Sequence, residues 1–198
     1  MTMFNLAYGL IAVTTFLSRA AAITACSSDL LIDDFDQFSR SVNVLGTRAS
    51  DDGSMRSLNL SAAAPNTSSS SIAFVPEQGS YFYETLPCTR AASRGYDAVS
   101  FAVRAPHDGA SFILEVQTRA SCDAASYASA WAPVSDLAAG EPQTVVVPLS
   151  AFGSAINADA VTAFNWATWD AWGDGVVWGL ADIALVCSAG GGGCASRG

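Results

Sequence analysis

Lysine is absent from this chain: all nine basic residues are arginine, set against eighteen aspartates and glutamates, for a formal net charge of -9. A surface of that sign repels phosphate backbones, which argues against nucleic acid as a partner. Histidine occurs once and the five cysteines contain no CxxC pair, so a zinc site lacks its usual ligands. The single His107 lies in a Pro-Asp-Gly turn and no GxSxG is present, which leaves a Ser-His-acid triad without its context. Gly190 to Gly193 lacks the strand before it and the helix after it that a phosphate-cradling loop needs. Internal repeats and sustained helical periodicity are missing as well.

One long apolar run is present, and it opens the chain. Leu6 to Leu17 has the length of a signal-peptide core, followed by small residues around Arg19-Ala20-Ala21-Ala22, and it is too short to span a bilayer. The expected organisation is a signal peptide over 1–22, cleaved after Ala22 or Ala25, one domain over 23–187, and a disordered Gly-rich tail over 188–198. Cysteine usage agrees with a secreted, extracellular protein. Cys26 precedes the first strand and Cys187 ends the last, while Cys88 and Cys122 flank the central segment. The expected disulfides are therefore Cys26 with Cys187 and Cys88 with Cys122, leaving Cys194 free or able to link two chains of an otherwise monomeric protein. Cys26 with Cys194 is the alternative. Asn59 and Asn66 head N-glycosylation sequons.

The mature chain reads as many short strands separated by turn chemistry, hence an all-β, two-sheet antiparallel sandwich or jelly roll. Its central stretch is Gly95 to Arg119. Val99, Phe101 and Val103 alternate with Ser100, Ala102 and Arg104, and beyond Ala105-Pro106-His107-Asp108-Gly109 the residues Phe112, Leu114 and Val116 alternate with Ile113, Glu115, Gln117 and Arg119. This predicts a long antiparallel hairpin with one apolar face and a second face carrying Arg104, Glu115, Gln117 and Arg119. Ser39 to Ser54 reads as loop, and Ala120 to Ala132 is small and polar apart from Cys122, Tyr127 and Trp131. Val161 to Trp169 reads as a strand with Trp166 and Trp169 on opposite faces.

Aromatic residues point to chemistry on that polar face. Sugars present flat CH faces that stack on Trp and Tyr, and hydroxyls that bond planar polar groups. Tyr81, Tyr83, Trp131 and Trp169 are the stacking candidates, while Trp178 reads as core. Two enzyme readings use the same face: glycoside hydrolysis, with Glu115 and a second carboxylate from Glu84, Asp170 or Asp174, or a lyase reaction with Arg119 neutralising a uronate. A structural or adhesive surface protein is a third possibility. Asp33, Asp34, Asp36, Asp51 and Asp52 gather near the first strand and Asp182 lies in the last, an oxygen-rich set suited to calcium.

The order Leu31-Ile32-Asp33-Asp34-Phe35-Asp36, Asp51-Asp52-Gly53-Ser54, Gly95 to Phe101, Thr144 to Phe152 and Ala181 to Leu185 resembles the galactose-binding-like jelly rolls. These include carbohydrate-binding modules and the sandwich domain of complex I assembly-factor type. The resemblance spans Leu30 to Cys187 and implies two sheets, a structural calcium with Asp33 or Asp34 and Asp182 as ligands, and a ligand on a concave sheet or in end loops. Carbohydrate-binding modules are usually appended to an enzyme. Here the disulfides and Gly-rich tail suggest a stand-alone secreted protein of a fungal kind, with association to the cell wall and a polysaccharide or other glycan as partner among the expectations. A shared fold does not transfer function.

Overall fold

The structure is a computed structural model and describes Cys26, 28–61 and 70–187; the expected signal peptide, the Asn66 sequon, the Gly-rich tail and Cys194 lie outside these residues. Eleven strands form: β1 (Leu30–Asp33), β2 (Ala49–Asp51), β3 (Ser57–Ser61), β4 (Ser71–Val75), β5 (Tyr81–Thr89), β6 (Ala98–Arg104), β7 (Ala110–Arg119), β8 (Tyr127–Leu137), β9 (Gln143–Pro148), β10 (Val161–Ala167) and β11 (Trp178–Val186). Among the described residues there is no α-helix, only three short 3-10 turns. Every pairing between these strands is antiparallel. One sheet runs β3-β4-β11-β6-β9, with β1 also on β11; the other runs β2-β5-β10-β7-β8. The chain is thus an all-β, two-sheet sandwich.

Period-two alternation explains the two-layer packing. On β7, Phe112, Leu114 and Val116 are buried while Ile113, Glu115, Gln117 and Arg119 are only partly so. Phe74, Phe82, Phe101, Phe112, Trp166 and Trp178 interlock from both sheets, Phe101 meeting Phe112 at 6.0 Å and Trp166 at 5.4 Å between ring centroids. Trp178 is core, as its neighbours Val176 to Leu180 suggest. Both expected disulfides form, Cys26 with Cys187 and Cys88 with Cys122.

The central hairpin does not form. β6 pairs with β11 and β9, whereas β7 pairs with β10 and β8. Ala105–Gly109 carries the chain from one sheet to the other, with Ala105 and Ala110 buried where it turns. Alternation fixes which face of a strand is buried and is silent about the partner; here the two apolar faces meet across the core instead of side by side. Arg104 is consequently on the outside of the six-stranded sheet, the opposite surface from Glu115, Gln117 and Arg119.

Two strands arise where none was expected, β2 within a segment read as loop and β8 in a small, polar run. β2 occupies Ala49–Asp51, and β8 is the longest strand of all, its buried positions being largely Ala130, Ala132 and Val134. Trp169 also departs from expectation. β10 ends at Ala167 and Thr168 takes a φ of 53°, so the alternation is broken and Trp169 turns into the core. Only 6% of it is exposed, against Phe74, Phe112 and Trp178. It is not a stacking platform.

Candidate functional site

The outer face of the five-stranded sheet gathers most of the expected polar and aromatic residues. Across it, the register aligns Ser50, Tyr83, Asn165, Glu115 and Trp131 in one row over five strands. The adjacent row holds Thr85, Ala163, Gln117 and Ser129. With strands about 4.8 Å apart, Tyr83 and Trp131 stand roughly 14 Å from each other. The central strand β10 shows small side chains, Ala163, Asn165 and Ala167, between the tyrosines of β5 and the longer residues of β7. The floor therefore dips, forming a cleft of about 390 Å³ lined also by Tyr81, Tyr83, Thr85, Glu115, Gln117 and Tyr127.

Hydrogen bonds orient the centre of the cleft. Asn165 Nδ2 donates to Glu115 Oε2 at 2.6 Å, and Gln117 Nε2 donates to Glu115 Oε1 at 3.3 Å. Tyr81 and Tyr83 lie 6.1 Å apart at a tilt of 45°, one wall of the cleft. Burial, reinforced by the nearby charge of Asp52, raises the Tyr81 phenol above its ordinary range, which keeps it a neutral hydroxyl. On the far side Trp131 and Tyr127 are 61% and 59% exposed. An indole left that open is the opposite of the usual buried tryptophan. Arg119 pairs with Tyr127 at the end of the same face, and the Arg48 guanidinium lies 5.8 Å over the Tyr83 ring.

Of the residues expected here, Tyr81, Tyr83, Glu115, Gln117, Arg119 and Trp131 share this face, and Arg104 and Trp169 do not. Asn165 and Tyr127 are additions. Asn165 was hidden because its signal is a single polar residue inside an apolar strand, Tyr127 because it opens a strand within a run of small, polar residues. Arg104 instead borders a second cleft, about 370 Å³, on the six-stranded sheet, beside Gly179. A Cβ at Gly179 would come within 3.2 Å of the Arg104 Cβ, so glycine leaves the arginine stem room to cross β11.

The carboxylates proposed as partners of Glu115 are engaged elsewhere. Glu84 is fully buried between the sheets and bonded by Asn43. Asp170 accepts from the Ser111 amide and faces His107, and Asp174 pairs with Arg56. Among the described residues no three His, Cys, Asp or Glu side chains converge as a metal site requires. Asp33 is buried and accepts from the Phe35 amide, Asp34 accepts from the Asp36 amide, and Asp182 stands at a bulge of β11 with φ 51°. These three carboxylates are not gathered into one cluster of that kind.

No protein-family model matches this chain, and no curated protein matches it in sequence. Solved structures do match. The solution structure of CtCBM11 aligns over 84% of this chain and 97% of its own, with a TM-score of 0.56 at 12% identity. The family 11 carbohydrate-binding module from Clostridium thermocellum, in complex with a β-1,3-1,4-mixed-linked tetrasaccharide, aligns over 80% and 95%, with a TM-score of 0.54 at 11% identity. The family 30 module of the cellulosomal cellulase Cel9D-Cel44B of Clostridium thermocellum aligns over 84% and 97%, with a TM-score of 0.52 at 10% identity. At such identities the likeness establishes the fold, a jelly-roll sandwich.

Proposed function

We propose that this is a secreted glycan-binding protein whose ligand lies across the outer face of the five-stranded sheet. The observation that carries the reading is the row Tyr83, Asn165, Glu115 and Trp131: a polar centre set between aromatic rings over a dipped floor. Sugar rings would stack on Trp131 and on the Tyr81 and Tyr83 wall, and their hydroxyls would bond Glu115, Gln117 and Asn165. Support also comes from the structural neighbours, several of which are carbohydrate-binding modules. Secretion is supported by the apolar opening of the chain and the two disulfides. Asn59 of the first sequon is exposed on the edge strand β3, where a glycan has room.

Incubating the protein with a panel of soluble and insoluble polysaccharides tests this, scoring depletion from solution together with release of new reducing or unsaturated ends. Depletion without new ends is expected. Trp131→Ala should weaken the retained interaction about tenfold or more, because an aromatic anchor at a binding face dominates its energetics, and should leave thermal stability within about 0.5 kcal/mol since the ring is exposed. New chain ends would instead make Glu115 and Arg119 catalytic suspects and sink the binding-only reading. Hydrolysis through a pair of carboxylates needs a second one across the sugar, and Glu115 is the sole carboxylate among the residues lining this cleft.

A further inference from the structure

Resting on that reading of the cleft, the class of glycan follows from a charge at its centre. Glu115 has no cationic partner among the described residues, whose ion pairs are Arg56 with Glu77 and Asp174, and His107 with Asp170. Asn165 and Gln117 orient its carboxylate without neutralising it, and each oxygen keeps capacity for one further hydrogen bond. Arg119 lies four residues along β7, about 13 Å away. The Arg48 guanidinium lies 5.8 Å over the Tyr83 ring and forms no ion pair with Glu115. Tyr81 and Tyr83 of β5 and Tyr127 of β8 line the same cleft as the carboxylate, Trp131 is its cross-strand partner on β8, and π faces attract cations. Tyr83 already holds one in Arg48. The field of the whole chain, at -9, has the same sign.

We propose that the cleft takes a polysaccharide bearing protonated amino groups, a de-N-acetylated glucosamine polymer, with one ammonium on Glu115 between the aromatic walls. Uronate polymers are repelled by the same carboxylate. Neutral glycans retain the stacking and hydrogen bonds and lose the ion pair.

Calorimetric titration of the full chain with three oligosaccharide probes tests the assignment: chitosan oligomers, their fully N-acetylated counterparts, and a neutral β-glucan oligomer, each at low and raised salt in mildly acidic buffer. The amino oligomer should bind tightest and lose affinity with salt. Glu115→Gln, of the same shape, should weaken it about tenfold, the scale of a charge-assisted hydrogen bond, and should change the other two less than about twofold. Glu141→Gln removes an equal charge beside the opposite cleft and should change none, which separates a site from general attraction to an acidic protein. Equal affinity for all three probes, or a Glu115→Gln loss no larger than that of Glu141→Gln, overturns the amino-group assignment while leaving a glycan site. Absence of binding to every probe, or binding that survives Trp131→Ala unchanged, overturns the underlying reading as well.

Discussion

Thermal or denaturant stability should fall as pH rises from about 5 towards 9, by up to about 1.4 kcal/mol per pH unit. The cause is a pair of carboxyl groups, Asp33 from β1 and Glu84 from β5, which meet in the core with both side chains fully buried. Asn43 donates to Glu84 Oε2 at 2.9 Å and the Phe35 amide to Asp33 Oδ1 at 2.7 Å. The remaining oxygens, Asp33 Oδ2 and Glu84 Oε1, have no N–H or other donor. A proton on Glu84, donated to Asp33, satisfies both. Burial above all, and then the neighbouring Asp33 charge, push Glu84 from 4.5 to about 10, against the opposing bond from Asn43. Burial likewise raises Asp33.

The sign follows by linkage. The folded chain keeps a proton that the unfolded chain releases above about 4.5, so the contribution to stability is complete below that pH and declines as pH climbs towards about 10. Chemical denaturation at a series of pH values reads the slope directly. Glu84→Gln keeps a donor to Asp33 and removes the titration, so its stability should be nearly flat over the same range. Should that variant retain the wild-type slope, the pair is not its source.

The second large effect belongs to Trp169. Truncation to alanine should destabilise the fold by about 3–5 kcal/mol, since it opens a cavity against rings at 4.9–5.1 Å in a close-packed core. For a domain of this size that is roughly a 10 °C fall in melting temperature. Trp169→Phe should cost far less, because the indole N–H it deletes has no hydrogen-bond partner. Glycan affinity per folded molecule should be unchanged in both. Lost affinity in a stably folded Trp169→Phe variant would contradict its burial away from the cleft.

Which side chains face outward could be read along single strands, because period two is a local property. Tyr81 with Tyr83, and Glu115 with Gln117 and Arg119, were legible in this way and do share a surface. Partnership between strands was not, since it depends on contacts distant in sequence. β6 and β7 look like a hairpin by alternation alone, yet Phe101 and Phe112 gain more by facing each other across the core, and Arg104 goes to the far surface as a result. β8 was masked by Ala130 and Ala132, inward residues too small to produce a strong apolar rhythm. Trp169 was misplaced by one backbone angle, the left-handed Thr168, which no composition argument anticipates. Asp33 and Glu84 illustrate a further limit: nothing within either strand signals that two carboxyls will meet and share a proton.

The first strand completes its sheet only against the last, Leu30 opposite Leu185 and Leu31 opposite Ala184. Pairing so distant along the chain requires the closure of a very large loop, which makes folding slow relative to proteins built from local contacts. β5, β7, β8 and β10 can assemble into their own sheet before β11 is available, but β1 has no strand neighbour until β11 has been made. During translation the apolar side of Leu30–Asp33 therefore waits unpartnered, and this is the interval in which the nascent chain is most exposed to misassociation.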